Sequence, residues 1–186
     1  MTTHLENRVV RAIRVFTETL TFDGLLNVSL GGRTLDELNA ASRPMLTLNS
    51  PRAEAGGWAP GDGPLLVNRE AILFVVEIPE PGATLGKSEA EPELQRFDRS
   101  AIRLRVGPYD VEAYVHTSHG ANPLVRLSQS VHPFIALNAA NVSGPGVEMT
   151  VPFLAAHRAH VLVAQELFSV SAVPEEMAVA SGDTEA

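Results

Sequence analysis

Five histidines are the side chains of this chain with the clearest potential for chemistry, and all five lie in its second half. They are His116, His119, His132, His157 and His160. Four of them form two His-x-x-His pairs, whose imidazoles could bind zinc or nickel. Residues three apart share a face on a helix but point to opposite faces on a strand. Because the surrounding sequence indicates strand ends and turns, we predict no metal site here.

Other catalytic patterns in the chain are incomplete. Ser118 or Ser128 could combine with a histidine and Asp110, but no Gly-x-Ser-x-Gly motif surrounds either serine. Residues 31–33 precede a predicted short helix and could hold an anion, yet they lack the phosphate-loop lysine and the dinucleotide glycine spacing. The sequence therefore predicts a protein with no catalytic and no cofactor-binding residues.

Three side chains are candidates for contact with a protein partner. Trp58 is the only tryptophan and lies in the Gly- and Pro-rich segment 55–63. Its indole could anchor a partner or fold back over its own domain. Arg69 and Arg158 stand at matching positions of two predicted hairpin tips, where a guanidinium can clamp a carboxylate or remain solvated. We predict Trp58, Arg69 and Arg158 as partner-binding residues.

The elements that must position these residues occur twice in the chain. Three segments recur without gaps at one constant shift of 89 residues, as from Ala12 to Ala101. They are 12–15, 44–49 and 65–69, which return as 101–104, 133–138 and 154–158. A repeat of this kind indicates a duplicated unit.

Each copy has the pattern of strand, strand, short helix, strand and hairpin. Residues 34–37 fit a capping box, and Asn122 can cap a helix that has Pro123 at its first position. Polar loops are expected at 50–63 and 139–150, and the hairpin of the first copy at 65–76.

Five short strands and one small helix per copy predict a mainly β fold, a tandem duplication of a small five-stranded SH3/Sm-like barrel. The predicted division is barrel repeat 1 at 9–79, an acidic linker at 80–99, barrel repeat 2 at 100–169 and a disordered acidic tail at 170–186.

Composition excludes several classes of partner and site. The absence of cysteine excludes disulfides and thiolate chemistry. The net charge is −8, and the small groups of arginines have acidic neighbours, so nucleic acid is not expected as a partner. No apolar run approaches the roughly 20 residues of a membrane span, and the polar N-terminus lacks the apolar region of a signal peptide. A cytoplasmic location is therefore expected.

Residues 32–39, 44–48 and 67–72 resemble an uncharacterised family of small bacterial proteins. That family shares a G-R-x-L-x-D/E-x-L-N segment, an L-x-L strand and a V-N-R-x-x-I segment. The second copy departs from it, since Val125 and Arg126 replace the acidic pair and His157 replaces the asparagine. The turn at 67–69 more distantly resembles Sm-like and SH3-like small barrels. The resemblance implies no activity, and a glycine of the Sm pattern is missing, so no RNA-binding residue is carried over.

These features predict a non-enzymatic protein-interaction or scaffold module built from two fused small barrels. The expected partner is a protein, which includes a second copy of the chain in a homo-oligomer. The alternative is a metal- or ligand-responsive sensor that uses the histidines of the second repeat.

Overall fold

The computed structural model describes residues 8–40, 43–79 and 97–167, and most of these residues lie in strands. The first half contains β1 (Arg8–Thr17), β2 (Thr21–Ser29), α1 (Thr34–Leu38), β3 (Met45–Ala55), β4 (Leu65–Asn68) and β5 (Ile72–Glu77). The second half contains β6 (Phe97–Val106), β7 (Tyr109–Ser118), α2 (Pro123–Gln129), β8 (Phe134–Gly144), β9 (Val147–His157) and β10 (Val161–Glu166). Short 3-10 turns join β4 to β5 (Arg69–Ala71) and β9 to β10 (Arg158–His160).

The same elements thus occur in the same order in both halves. Most equivalent elements begin 89 residues apart, as at Met45 and Phe134 or at Ile72 and Val161. We call two residues counterparts when they are separated by this shift. The predicted linker, 80–99, ends too late, because residues 97–99 belong to β6. Its residues 80–96 and the predicted tail at 170–186 lie outside the described residues.

The two helices of the described residues begin in different ways. In α2 the Asn122 carboxamide oxygen accepts from the backbone N–H groups of Leu124 and Val125 at 2.8 and 3.2 Å, and Pro123 takes the first helical position. This start confirms the predicted cap. In α1 the box is one residue earlier than predicted, because the Arg33 N–H donates to the Asp36 carboxylate at 2.9 Å.

The predicted polar loops are partly wrong. β3 continues to Ala55, and the segment predicted as a loop at 139–150 forms the half of the long β8–β9 hairpin that includes its turn. Ser50 and Ala139 are counterparts, and both have a φ of +47°. A non-glycine residue in this left-handed region bends a strand and interrupts its alternation. Because the apolar–polar alternation is interrupted at Ser50 and Ala139, the sequence pattern predicts loops where β3 and β8 in fact continue.

The predicted hairpin at 65–76 is also wrong. β4 pairs with β3, whereas β5 pairs with β1 and β9. The side-chain oxygen of Asn68 accepts from the Glu70 N–H at 3.1 Å and starts the 3-10 turn that separates the two strands. His157, the counterpart of Asn68, caps the second 3-10 turn through its Nδ1, which accepts from the Ala159 N–H at 3.3 Å.

The ten described strands form one antiparallel sheet in the order β10-β6-β7-β8-β9-β5-β1-β2-β3-β4. Within each half the order is fifth, first, second, third and fourth strand. The halves join where β5 pairs with β9, with Phe74 opposite Ala156 and Val76 opposite Leu154. The prediction of a mainly β fold is confirmed. Among the described strands the two predicted barrels do not occur as separately closed sheets, because β5 pairs with β9 of the other half as well as with β1.

The two halves share their core across this β5–β9 junction. Phe74 belongs to the buried cluster of the second half, and Phe16 stacks on it with 4.3 Å between ring centroids. Tyr109 of the second half packs edge-on against both rings. In return, Phe134 of the second half belongs to the cluster of the first half. No helix among the described residues is long and apolar enough to cross a membrane.

Candidate interaction surface

The two outer strands of the sheet, β4 and β10, form the candidate interaction surface. Within the described residues, β10 pairs only with β6 and β4 only with β3. The other side of each strand, which we call its outer edge, presents backbone groups that can pair with a further strand. Natural proteins commonly protect such edges with lysine or proline, and the sequences of β4 and β10 contain neither.

β10 carries two exposed apolar side chains. Leu162 is 67% exposed and Val163 is 62% exposed. Their counterparts in β5, Leu73 and Phe74, are 0% exposed because β9 and the core of the second half cover them. The same positions of the repeat are therefore buried at the junction between the halves and open to solvent at the outer edge.

The β4 side of the sheet shows the same contrast. Leu66 in β4 is 58% exposed and Met45 in β3 is 38% exposed. Their counterparts at the β5–β9 junction, Ala155 and Phe134, are 0% and 1% exposed. Exposed apolar side chains on two sheet edges are typical of surfaces that another chain covers.

Arg69 has an internal role in the structure. Its Nη1 donates to the backbone carbonyl oxygens of Glu37 and Leu38, at 2.7 and 2.5 Å, at the end of α1. Burial lowers the pKa of Arg69 below its ordinary value, and the nearby Glu37 carboxylate partly opposes this. Arg158 reaches the Ser130 carbonyl oxygen after α2 in the equivalent way, but its side chain is exposed. Both arginines thus cap the carbonyl end of a helix.

The surroundings of Trp58 combine features of its two predicted roles, packing on its own domain and exposure to a partner. Its ring packs edge-on against Phe22 with 5.8 Å between centroids, and 47% of the residue is exposed. The indole therefore covers part of the first half and still presents a face to solvent. Contact of Trp58, Arg69 or Arg158 with a partner stays a prediction.

The histidines are distributed over several separate places. His119 is exposed, and its Nδ1 lies 3.0 Å from the Asp98 carboxylate. The Gly120 N–H is the main cause that lowers the pKa of Asp98, followed by His119. His132 is exposed after α2, and His116 is half-buried in β7. Burial lowers the pKa of His116, and the positive charges of Arg99 and Arg126 add to this.

His157 and His160 lie at the β5–β9 junction. The His157 ring is buried and stands edge-on to Phe134, with 4.7 Å between centroids. His160 donates from Nε2 to the Glu70 carbonyl oxygen of the first half at 2.7 Å. Burial is the largest cause that lowers the pKa of His157, and the neighbouring His160 adds to it. Among the described residues, no three side chains of the metal-ligating types gather to hold an ion.

A comparison with protein-family models, curated proteins and solved structures finds no match to this chain.

The sequence did not reveal the contrast between the two outer edges and the internal junction. The runs Val161–Glu166 and Ile72–Glu77 are similarly apolar, so the pattern predicts a strand in both cases. Burial of one strand and exposure of the other depends on which strands pair with them. The only sequence feature that bears on this contrast is the repeat, because it shows which positions of the two halves are equivalent and can be compared for exposure.

Proposed function

We propose that this chain is a non-enzymatic protein-interaction module that binds a protein partner by strand addition to its outer edges. Its two halves derive from the duplication of one small, strongly bent barrel-like unit. The observation that carries the proposal is the exposure of Leu162 and Val163 on β10, whose counterparts are fully buried. A strand bound beside β10 would cover these side chains and satisfy the backbone groups of the edge.

The described side chains support interaction better than catalysis or sensing. Each outer strand carries at least one exposed large apolar side chain, whereas the histidines are spread over β7, the turn after it, the segment after α2 and the β5–β9 junction. A metal sensor needs three or four ligands within about 2.3 Å of one point. A binding edge needs only a strand with unpaired backbone groups and an apolar face.

Affinity capture with single-lysine variants tests this proposal. The full-length chain, tagged at its N-terminus, would be used to capture proteins from an extract of its source cells. Val163→Lys places a charge on the outer edge of β10, and Leu66→Lys does the same on β4. Val10→Lys is the matched control, because Val10 is also exposed but belongs to neither outer strand and lies opposite Asn27 of β2.

We expect at least one edge variant to lose a protein that the wild type and the Val10→Lys control both retain. Bound copies of the chain itself count as such a protein. Circular dichroism of all three variants checks that they keep the wild-type strand content. If the wild type binds neither another protein nor itself, or if both edge variants bind everything that it binds, the proposal is wrong.

A further inference from the structure

We propose that the partner at these edges is a second copy of this chain, bound head to tail, with β10 of one chain paired to β4 of the next. This inference rests on the proposed function and specifies its partner. The intramolecular β5–β9 junction provides the template, because β5 is the counterpart of β10 and β9 is the counterpart of β4. Each chain therefore carries both sides of a junction that it has already formed once internally.

The internal register predicts the register between chains. β5 pairs with β9 through Phe74 opposite Ala156, Val75 opposite Ala155 and Val76 opposite Leu154. The counterparts of these pairs place Val163 opposite Val67, Ala164 opposite Leu66 and Gln165 opposite Leu65 of the second copy. The first two pairs are apolar, and the third places a polar side chain at the end of the paired segment.

The exposed apolar residues fall on both sides of this predicted junction. Leu162 and Val163 belong to the β10 side, and Leu66 and Met45 belong to the β4 side. Pairing the two edges would bury all four, as their counterparts are buried at the β5–β9 junction. A surface that is complementary to another surface of the same molecule needs no other partner to be covered.

The side chains at the ends of the two helices predict that the junction between chains is weaker than the internal β5–β9 junction. At the β5–β9 junction, Asn39 forms two hydrogen bonds with the backbone of Phe134. The counterparts of these two residues are Ser128 and Met45. The serine side chain is shorter than a carboxamide, and the Ser128 hydroxyl already donates its proton to the Val125 carbonyl oxygen within α2 at 2.9 Å. We therefore expect reversible assembly that depends on concentration.

The contact is heterologous, since β10 meets β4 and not another β10. Repetition of such a contact produces a closed ring when the rotation between chains closes, and a filament when it does not. In either case one damaged edge blocks self-association, whereas two chains with different damaged edges can still form one contact. The behaviour of single variants and of their mixture therefore distinguishes head-to-tail assembly, in which β10 meets β4, from two-fold pairing, in which β10 meets β10 or β4 meets β4.

Sedimentation equilibrium of the full chain over concentrations up to about 100 μM measures the assembly, a range that includes weak association. We expect the wild type and the Val10→Lys control to form species larger than one chain. We expect Val163→Lys alone and Leu66→Lys alone to associate at least about 10-fold more weakly. An equimolar mixture of these two variants should form a species of two chains, one of each, through the intact β10 of Leu66→Lys and the intact β4 of Val163→Lys.

Several outcomes would overturn the inference. A full-length wild type that remains a single chain overturns the inference. It does so even if a variant that lacks residues 168–186 assembles. Persistent dimers of Val163→Lys or of Leu66→Lys would show pairing of like edges instead. A wild type that is monomeric yet captures a different protein through β10 contradicts this inference and leaves the proposed function standing.

Discussion

Asn39 of the first half holds the backbone of Phe134 in the second half with two hydrogen bonds. Its Nδ2 donates to the Phe134 carbonyl oxygen at 3.1 Å, and its Oδ1 accepts from the Phe134 N–H at 2.9 Å. The two residues are 95 positions apart and belong to different copies of the repeat. The carboxamide thus fixes the end of α1 against the start of β8, next to the β5–β9 junction.

Replacement of Asn39 by alanine should destabilise the fold. The change leaves a part-buried N–H and carbonyl of Phe134 without their partner, which costs about 1–3 kcal/mol in the free energy of unfolding. Ser128→Ala is the matched control, because Ser128 is the counterpart of Asn39 and its exposed hydroxyl bonds only within α2. Urea unfolding of both variants measures the difference. Equal losses for the two variants would contradict the role of Asn39 at the junction.

The shared core predicts that both halves unfold in one transition. Trp58 fluorescence reports on the first half, where the indole packs on Phe22, and far-ultraviolet circular dichroism reports on the strands of both. The two signals should change together in urea, because β5 belongs to the sheet and core of both halves. Two separate transitions would show that the halves are independent.

Phe74→Ala should lower the free energy of unfolding by about 3–5 kcal/mol and shift both signals equally. Phe74 is fully buried, and its ring contacts Phe16 and Tyr109. The control is Val163→Ala at the counterpart position, where the exposed side chain should cost less than about 0.5 kcal/mol in the dilute chain. If only the fluorescence signal shifted, Phe74 would stabilise the first half alone.

Arg69 and Arg158 are counterparts, yet they should differ in their contribution to stability. Arg69→Ala removes a buried guanidinium that satisfies two helix-end carbonyls, and hydrogen bonds from charged groups contribute about 1.5–3 kcal/mol. Arg158→Ala removes an exposed side chain, and water can replace its contact with Ser130. Thermal unfolding should show a clearly larger decrease in Tm for Arg69→Ala. A larger decrease in Tm for Arg158→Ala would mean that burial of the guanidinium does not determine how much each arginine contributes to stability.

The buried His157 predicts a loss of stability in mild acid. Its pKa in the folded chain is below the ordinary value of 6.5, so the unfolded chain binds the proton more readily. The stabilisation from the neutral ring is complete above about pH 6.5 and decreases as the pH falls from there towards the folded pKa. The slope from one such group is at most about 1.4 kcal/mol per pH unit. Urea unfolding between about pH 7 and pH 5 measures it.

The variant that tests this pH dependence is His157→Asn. Asparagine is the residue of the counterpart position, where Asn68 caps the 3-10 turn through its side-chain oxygen. The variant should therefore keep the cap, lose the titration and show a smaller slope. His116, whose pKa is lowered by burial, should supply part of the remaining slope, and His116→Asn should reduce it further. An unchanged slope in both variants would assign the acid sensitivity to other groups.

Much of the local structure could be predicted from the sequence. The start of α2 followed from Asn122 and Pro123, because a cap is a contact between neighbours in the chain. The buried strand positions Leu48 and Leu137 followed from matched apolar patterns in the two copies. The parts of β3 and β8 that follow Ser50 and Ala139 could not be predicted. These two residues have a left-handed backbone that interrupts the alternation, and neither is a glycine.

The sequence by itself determined the order of elements, their repetition after 89 residues and the mainly β class, because these depend on local alternation and on caps. Only the tertiary structure decided that β5 pairs with β9, that Phe74 and Phe134 each enter the core of the other half, and that β4 and β10 remain outermost. A period of two shows which face of a strand is apolar but not which strand lies beside it. The neighbour is chosen by packing between residues about 80 positions apart, such as Phe74 and Ala156, and no local pattern records that choice.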